Sequence, residues 1–130
     1  MSADVKLISG EIARYFPFGT SPNATNSTTA NATSGAIFKE SPFTTFQGVV
    51  TGTGAVTATI AIQVTNDPNS VGLAGASPSA SNWVALGTIT LSGTTSASDG
   101  FTTQAPWRFV RAVVTNLTGT GAVCSVLMGN

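Results

Sequence analysis

Few side chains in this sequence could carry out chemistry. There are five carboxylates (Asp4, Glu11, Glu40, Asp67, Asp99), five cations (Lys6, Arg14, Lys39, Arg108, Arg111), one cysteine and no histidine. Proton transfer at neutral pH needs a group that titrates near 7, and a thiol nucleophile needs an imidazole or a cation to make thiolate. Cys124 stands in the apolar run from Val123 to Met128 and reads as a small buried hydrophobe. As the only cysteine it cannot form an internal disulfide. Asp67 and Asp99 occupy D-P-N and S-D-G contexts, which favour Asx turns, and no hard-cation spacing surrounds them. The two TGTG segments open no helix, so they lack the dipole and N–H cradle of a phosphate loop. No catalytic residue, metal ligand or cofactor site is predicted, and the chain is not expected to be an enzyme.

Binding chemistry is better represented. Trp83 and Trp107 each begin a predicted strand, a place for sugar-stacking rings and equally for core or end-cap residues. Arg108 and Arg111 fall on opposite faces of one strand. Arg111 shares its face with Trp107, Phe109 and Val113, so it is expected to be partly covered, paired with a carboxylate or stacked on a ring. Tyr15, Phe16 and Phe18 cluster around Pro17, too many aromatics to leave in water.

Charged residues make up 8% of the chain and the net charge is zero, so no long-range field attracts nucleic acid or an anionic membrane. Zero net charge also removes colloidal repulsion, which suits a subunit fixed in a large assembly. Neither an apolar run near 18 residues nor a signal-peptide pattern is present, and synthesis in a cytoplasm is expected.

The elements that must position these residues read as strands. The 130 residues suit one domain. Residues 1–20 hold four of the ten charged side chains, Asp4, Lys6, Glu11 and Arg14, and read either as an edge strand or as an arm reaching a neighbouring subunit. Residues 21–36 form a low-complexity loop of Asn, Thr, Ser and Ala, unable to offset its ordering entropy by burial. Its N-x-S/T sequons at Asn23, Asn26 and Asn31, with another at Asn116, are attributed to composition. Residues 37–130 form the β-sandwich domain. Pro42 breaks strand material, since proline cannot donate to a central ladder. From Ala55 to Thr65 strict alternation sets Val56, Ala58, Ile60, Ile62 and Val64 against Thr, Ala and Gln, the period of a strand with one face on a core. Residues 66–82 and the segment GTTSASDG read as loops, and a parity change at Gly87 marks a bulge. TGTGAV occurs at 51–56 and again at 118–123, each time between apolar runs, and predicts two similar hairpins, the second from Pro106 to Met128. The fold class expected is all-β: a two-sheet antiparallel β-sandwich, jelly-roll-like, with seven or eight strands.

The series TNDPNS…NWVALGTITLSG…SDGFTTQAPWRFVRAVVTNLTGTGAVCSVLMG, covering about Gln47 to Gly129, resembles small β-sandwich proteins of tailed-bacteriophage virions, particularly capsid decoration or cement proteins. Its N-D…N-W-V-x-L-G and W-R-F-V-R portions are also similar to galactose-binding-like jelly-roll modules. The first resemblance implies a virion protein made in the host cytoplasm that binds the outer capsid surface as a homodimer or homotrimer. Its partner would be the major capsid protein, and Tyr15, Phe16 and Phe18 would be candidate capsid or subunit contacts. The second implies a glycan-binding surface with Trp83 or Trp107 as stacking platform.

Overall fold

The computed structural model describes residues 13–19, 23–39, 41–71 and 82–129. Its strands are β1 (Ala13–Tyr15), β2 (Ala32–Thr33), β3 (Ile37–Phe38), β4 (Phe43–Thr65), β5 (Val84–Gln104), β6 (Phe109–Val114) and β7 (Thr118–Gly129), with one 3-10 turn at Pro68–Val71. The all-β antiparallel class is as expected. The described strands hydrogen-bond into one seven-stranded sheet that curls over on itself.

The organising element is β4. Its alternation buries Val56, Ala58, Ile60, Ile62 and Val64 on one face, as the sequence pattern requires. On one side it pairs with β5 along almost its whole length, from Phe43 opposite Gln104 to Val64 opposite Val84. On the other side it pairs with β7 through its first half and with β6 through its second. β6 and β7 therefore run in the same direction along one edge of β4, and the hairpin expected between them does not form.

Both TGTG copies instead lie inside paired strands, side by side: Thr51 is opposite Val123, Thr53 opposite Thr120 and Thr57 opposite Thr118. Positive-φ glycines suit a turn only when the flanking runs pair with each other; here the partner of each run is a third segment, so the glycines bend strands. Gly119, at φ 125°, shows why no other residue fits. A Cβ there would sit 2.8 Å from the Ala55 carbonyl oxygen and 2.9 Å from Val56 Cγ1.

The bend crosses β5 as well. The expected GTTSASDG loop is paired strand, with Thr51 opposite Ser96 and Ala55 opposite Thr94, so β4 spends three residues where β5 spends one. That one is Thr95, at φ 64°, a conformation a β-branched residue adopts only under strain. Thr95→Gly is expected to raise the unfolding free energy by about 0.5–1 kcal/mol, the strain relieved less the entropy glycine adds to the unfolded chain. Urea denaturation checks this, and a loss of stability would mean that Thr95 is not held there.

The bend brings the two halves of the sheet face to face. A Cβ on Gly48 would lie 2.5 Å from Ile60 Cδ1 and 3.3 Å from Ile89 and Leu91, and one on Gly87 would lie 2.7 Å from the Phe101 ring. The core sits between the halves and includes Phe46, Val50, Val110, Val114 and Cys124. The predicted bulge falls next to Gly87, where Ile62 is opposite Gly87 and Gln63 opposite Ala85, leaving Leu86 extra. Pro42 lies in the break between β3, which ends at Phe38, and β4, which starts at Phe43, as expected.

The N-terminal and low-complexity segments cover the outer edges of β6 and β7. β1 pairs with β7, Tyr15 opposite Leu127, and β2 and β3 pair with β6. Residues 1–12, the larger part of the expected arm or edge strand, lie outside the described residues. The Asn/Thr tract expected as a loop keeps most side chains exposed but is tied down through its backbone. Thr25 exchanges two hydrogen bonds with Phe18, and Thr28 two with Cys124. The Asn31 amide closes the gap between β6 and β7, donating to the Thr115 carbonyl at 3.0 Å and accepting from the Leu117 N–H at 2.9 Å. Such bonds offset ordering entropy where apolar burial cannot.

Candidate functional site

The surface with the most binding chemistry is the outer face of the half-sheet built from β6, β3, the second half of β4 and the start of β5. Alternation along β6 buries Val110, Ala112 and Val114 and turns Phe109, Arg111 and Val113 outward, half-covered. Register then sets Arg111 opposite Gln63 of β4 and Phe109 opposite Phe38 of β3. Arg111 Nε donates to Gln63 Oε1 at 2.8 Å, and its guanidinium carbon stands 4.3 Å from the centroid of the Trp83 ring. Stacking on a ring was one of the two outcomes expected for Arg111. At the other end of the face the Arg108 guanidinium lies 5.7 Å from the Phe38 ring, which meets Phe109 edge-on at 5.9 Å. Phe38 is 44% exposed.

The electrostatics of this face are simple. Burial lowers the pKa of Arg111, yet a guanidinium stays charged throughout the working range. The Arg108 and Arg111 side chains meet aromatic rings and the Gln63 amide, and neither meets a carboxylate among the described residues. The two described carboxylates accept from neighbouring backbone: Asp67 Oδ1 accepts from the Asn69 N–H at 2.9 Å, and Asp99 Oδ1 from the Gly100 N–H at 2.8 Å. The Asx turn expected of both forms at Asp67; Asp99 stands instead in the paired strand β5, opposite Gly48. Stacked arginine, tryptophan and phenylalanine are the residue types that dominate protein interfaces. Sequence reasoning named Trp83 and Arg111 but missed Phe38 and Gln63, whose parts depend on strand register that no local signal encodes.

A second feature lies on the other half. A shallow depression of about 360 Å³ is lined by Thr45, Gln47, Ser98, Asp99, Phe101 and Thr102, among others. The Gln47 amide donates to Ser98 Oγ at 3.0 Å. It offers hydroxyl, amide and carboxylate groups beside a ring edge, the chemistry of hydroxyl recognition.

The remaining predicted residues are distributed as follows. Phe16 and Phe18 are buried in the core of this same chain, at 0% and 2% exposure, and Tyr15 is 44% exposed. Trp107 is partly buried against the core. Trp83 is half-buried, and Arg111 stacks on its ring. These residues do not converge on one site. Cys124 is fully buried, and burial pushes its thiol up to about 11, so it stays protonated at neutral pH. Lys39 was not singled out by the sequence, yet it is buried. Its Nζ donates to the carbonyls of Ser41, at 2.8 Å, and Ala105, and desolvation lowers its pKa. It ties the turn before β4 to the turn after β5. Among the described residues no three metal-ligating side chains converge. Comparison with protein-family models, with curated proteins and with solved structures finds no match for this chain.

Proposed function

We propose that this chain is a non-enzymatic virion structural protein that binds the outer surface of a bacteriophage capsid and stabilises it by bridging capsomers. The partner is the major capsid protein, and the subunit acts as a homodimer or homotrimer. On this reading the curled sheet is the jelly-roll-like two-layer sandwich of decoration proteins. The observation that carries the proposal is the arginine–aromatic face of Trp83, Arg111, Phe38 and Arg108, which has interface composition on a rigid sheet. Resemblance of the segment from about Gln47 to Gly129 to phage cement proteins supplies the partner. Multivalent attachment around a capsid symmetry axis lets each contact be weak while the assembly is tight.

The experiment is co-sedimentation with undecorated capsids of the phage that encodes the chain. Wild type is expected to pellet with them, and Arg111→Ala to bind about tenfold or more weakly with its circular dichroism unchanged. Wild-type protein that stays in the supernatant would sink the proposal. The alternative, a carbohydrate-binding module of a phage fibre or adsorption apparatus, is favoured by the polar depression at Gln47, Ser98 and Asp99. Retention on a glycan surface, lost in Asp99→Ala, together with no capsid binding, would replace the first reading with the second.

A further inference from the structure

The sheet manages its edges unevenly. The outer edge of β7 carries β1 and the bridge to Thr28, and the outer edge of β6 carries β2 and β3. β5, twenty-one residues long, pairs among the described residues with β4 alone. A bare edge is a template for another strand, and proteins usually guard such edges with lysine, proline, inward charges or short length. β5 contains no lysine, arginine, glutamate or proline, and its one charge is Asp99. Its guards are geometric: the bulge at Leu86 and the bend at Thr95. Between them lies an uninterrupted paired run, Gly87 to Thr94.

We propose that this run is the subunit-pairing edge: two copies of the chain join antiparallel across a two-fold axis at Leu91, continuing the sheet from one subunit into the next. Three observations select a second copy as the occupant. A two-fold at Leu91 pairs Thr88 through Thr94 with the same residues of the second copy, leaves only Gly87 of the run unused and meets neither bulge nor bend. The run is self-complementary in that register. Thr88 comes opposite Thr94 and Thr90 opposite Ser92, all exposed on the outer face, while buried Ile89 and Leu91 extend the inner, apolar face across the axis; hydroxyl and β-branched cross-strand pairs of this kind are favourable. The chain's net charge is zero, so two copies approach without repulsion.

The size of the surface is also informative. Seven residues at about 3.4 Å span roughly 24 Å, and two stacked half-sheets present a rim roughly 20 Å deep. That gives about 500 Å² per partner and about 1,000 Å² in total, the lower bound for a specific interface. The pairing is therefore weak in free solution and concentration-dependent. It goes beyond the capsid-binding reading, because a chain that never met a capsid would carry the same edge, and failure of capsid co-sedimentation would leave it untouched.

Sedimentation equilibrium of the full chain, from low micromolar to near-millimolar concentration, tests it. Wild type is expected to pass from monomer to dimer over this range. In the double variant Thr90→Lys, Ser92→Lys, like charges meet across the axis, and the protein is expected to stay monomeric with wild-type circular dichroism. In Thr90→Lys, Ser92→Glu, each lysine meets a partner glutamate, and dimerisation is expected to return, about tenfold or more tighter than in the dilysine variant. Both positions are exposed, so neither variant disturbs the core. A wild type that remains monomeric at every concentration would overturn the proposal, because the edge would then be covered by the chain itself or reserved for a foreign strand. A dimer insensitive to the dilysine change, or one not distinguished by the charge swap, would overturn it too.

Discussion

Phe46→Ala is expected to lower the unfolding free energy by about 3–5 kcal/mol, the usual cost of removing a buried phenylalanine ring. Phe46 is 1% exposed and is the point where three segments meet. Its ring centroid lies 6.3 Å from that of Phe16, on the segment following β1, and 5.4 Å from that of Phe101 on β5. Truncation removes both ring contacts and leaves a cavity between the half-sheets that rigid strands cannot collapse to fill. Against a total stability of about 5–15 kcal/mol for a domain, such a loss leaves little reserve. Urea unfolding followed by circular dichroism measures it. Phe43→Ala, on the same strand but 59% exposed, should cost under about 0.5 kcal/mol. Hydrogen exchange should localise the effect, because the Phe16 N–H, bonded to the Val126 carbonyl at 2.8 Å, would exchange faster once its anchoring ring is lost. Equal costs for the two variants would show that the half-sheets do not pack as described.

Stability is expected to fall steeply above pH 9, and the buried thiol is the cause. The Cys124 thiol ionises near 9.0 when solvated and only at about 11 in the folded chain. Between those values the unfolded state releases its proton while the folded state retains it, so rising pH favours unfolding. The contribution is intact below pH 9 and lost progressively toward pH 11, reaching about 3 kcal/mol when complete. Lys39 acts in the opposite sense. Burial holds its pKa below 10.5, so between its folded value and 10.5 the unfolded chain binds more protons, and stability from this group rises with pH. The two are separated by Cys124→Ala, which should flatten the alkaline decline measured by urea midpoints across this range. An unchanged decline in that variant would exonerate the thiol.

The parts of the fold legible in the sequence were those encoded by side-chain period. Alternation from Val56 to Val64 identified the core face of β4, the parity change at Gly87 located the bulge, and the apolar surroundings of Cys124 announced its burial. The parts that stayed hidden depend on pairing partners distant in the chain. Gly54, Gly119 and Gly121 have the positive φ values that a hairpin turn would also need. Only the pairing of Thr51 with Val123 distinguishes a bent strand from a turn. The segment GTTSASDG has loop composition, yet it is strand because residues 47–51 and 55–56 of β4 pair with it. Arg111 was legible as a covered cation, since its neighbours at positions i±2 are apolar. Its contacts Gln63 and Trp83 lie 48 and 28 positions away, beyond any local pattern. Lys39 has no sequence signature, because two backbone carbonyls and not a carboxylate satisfy it.

The central position of β4 also shapes how the chain must be assembled. One of its edges is filled by residues 84–104, the other by residues 109–129. During synthesis the longest strand therefore leaves the ribosome some twenty residues before its first partner begins and more than forty before its second. Most stabilising contacts close a long loop, so folding belongs to the slow, high-contact-order regime of about milliseconds to seconds. The intermediate that matters is the β4–β5 ribbon, folded back at Thr95 with one side of β4 still bare. Chaperone demand and aggregation losses during expression should be concentrated at that stage, before the last twenty residues arrive to close it.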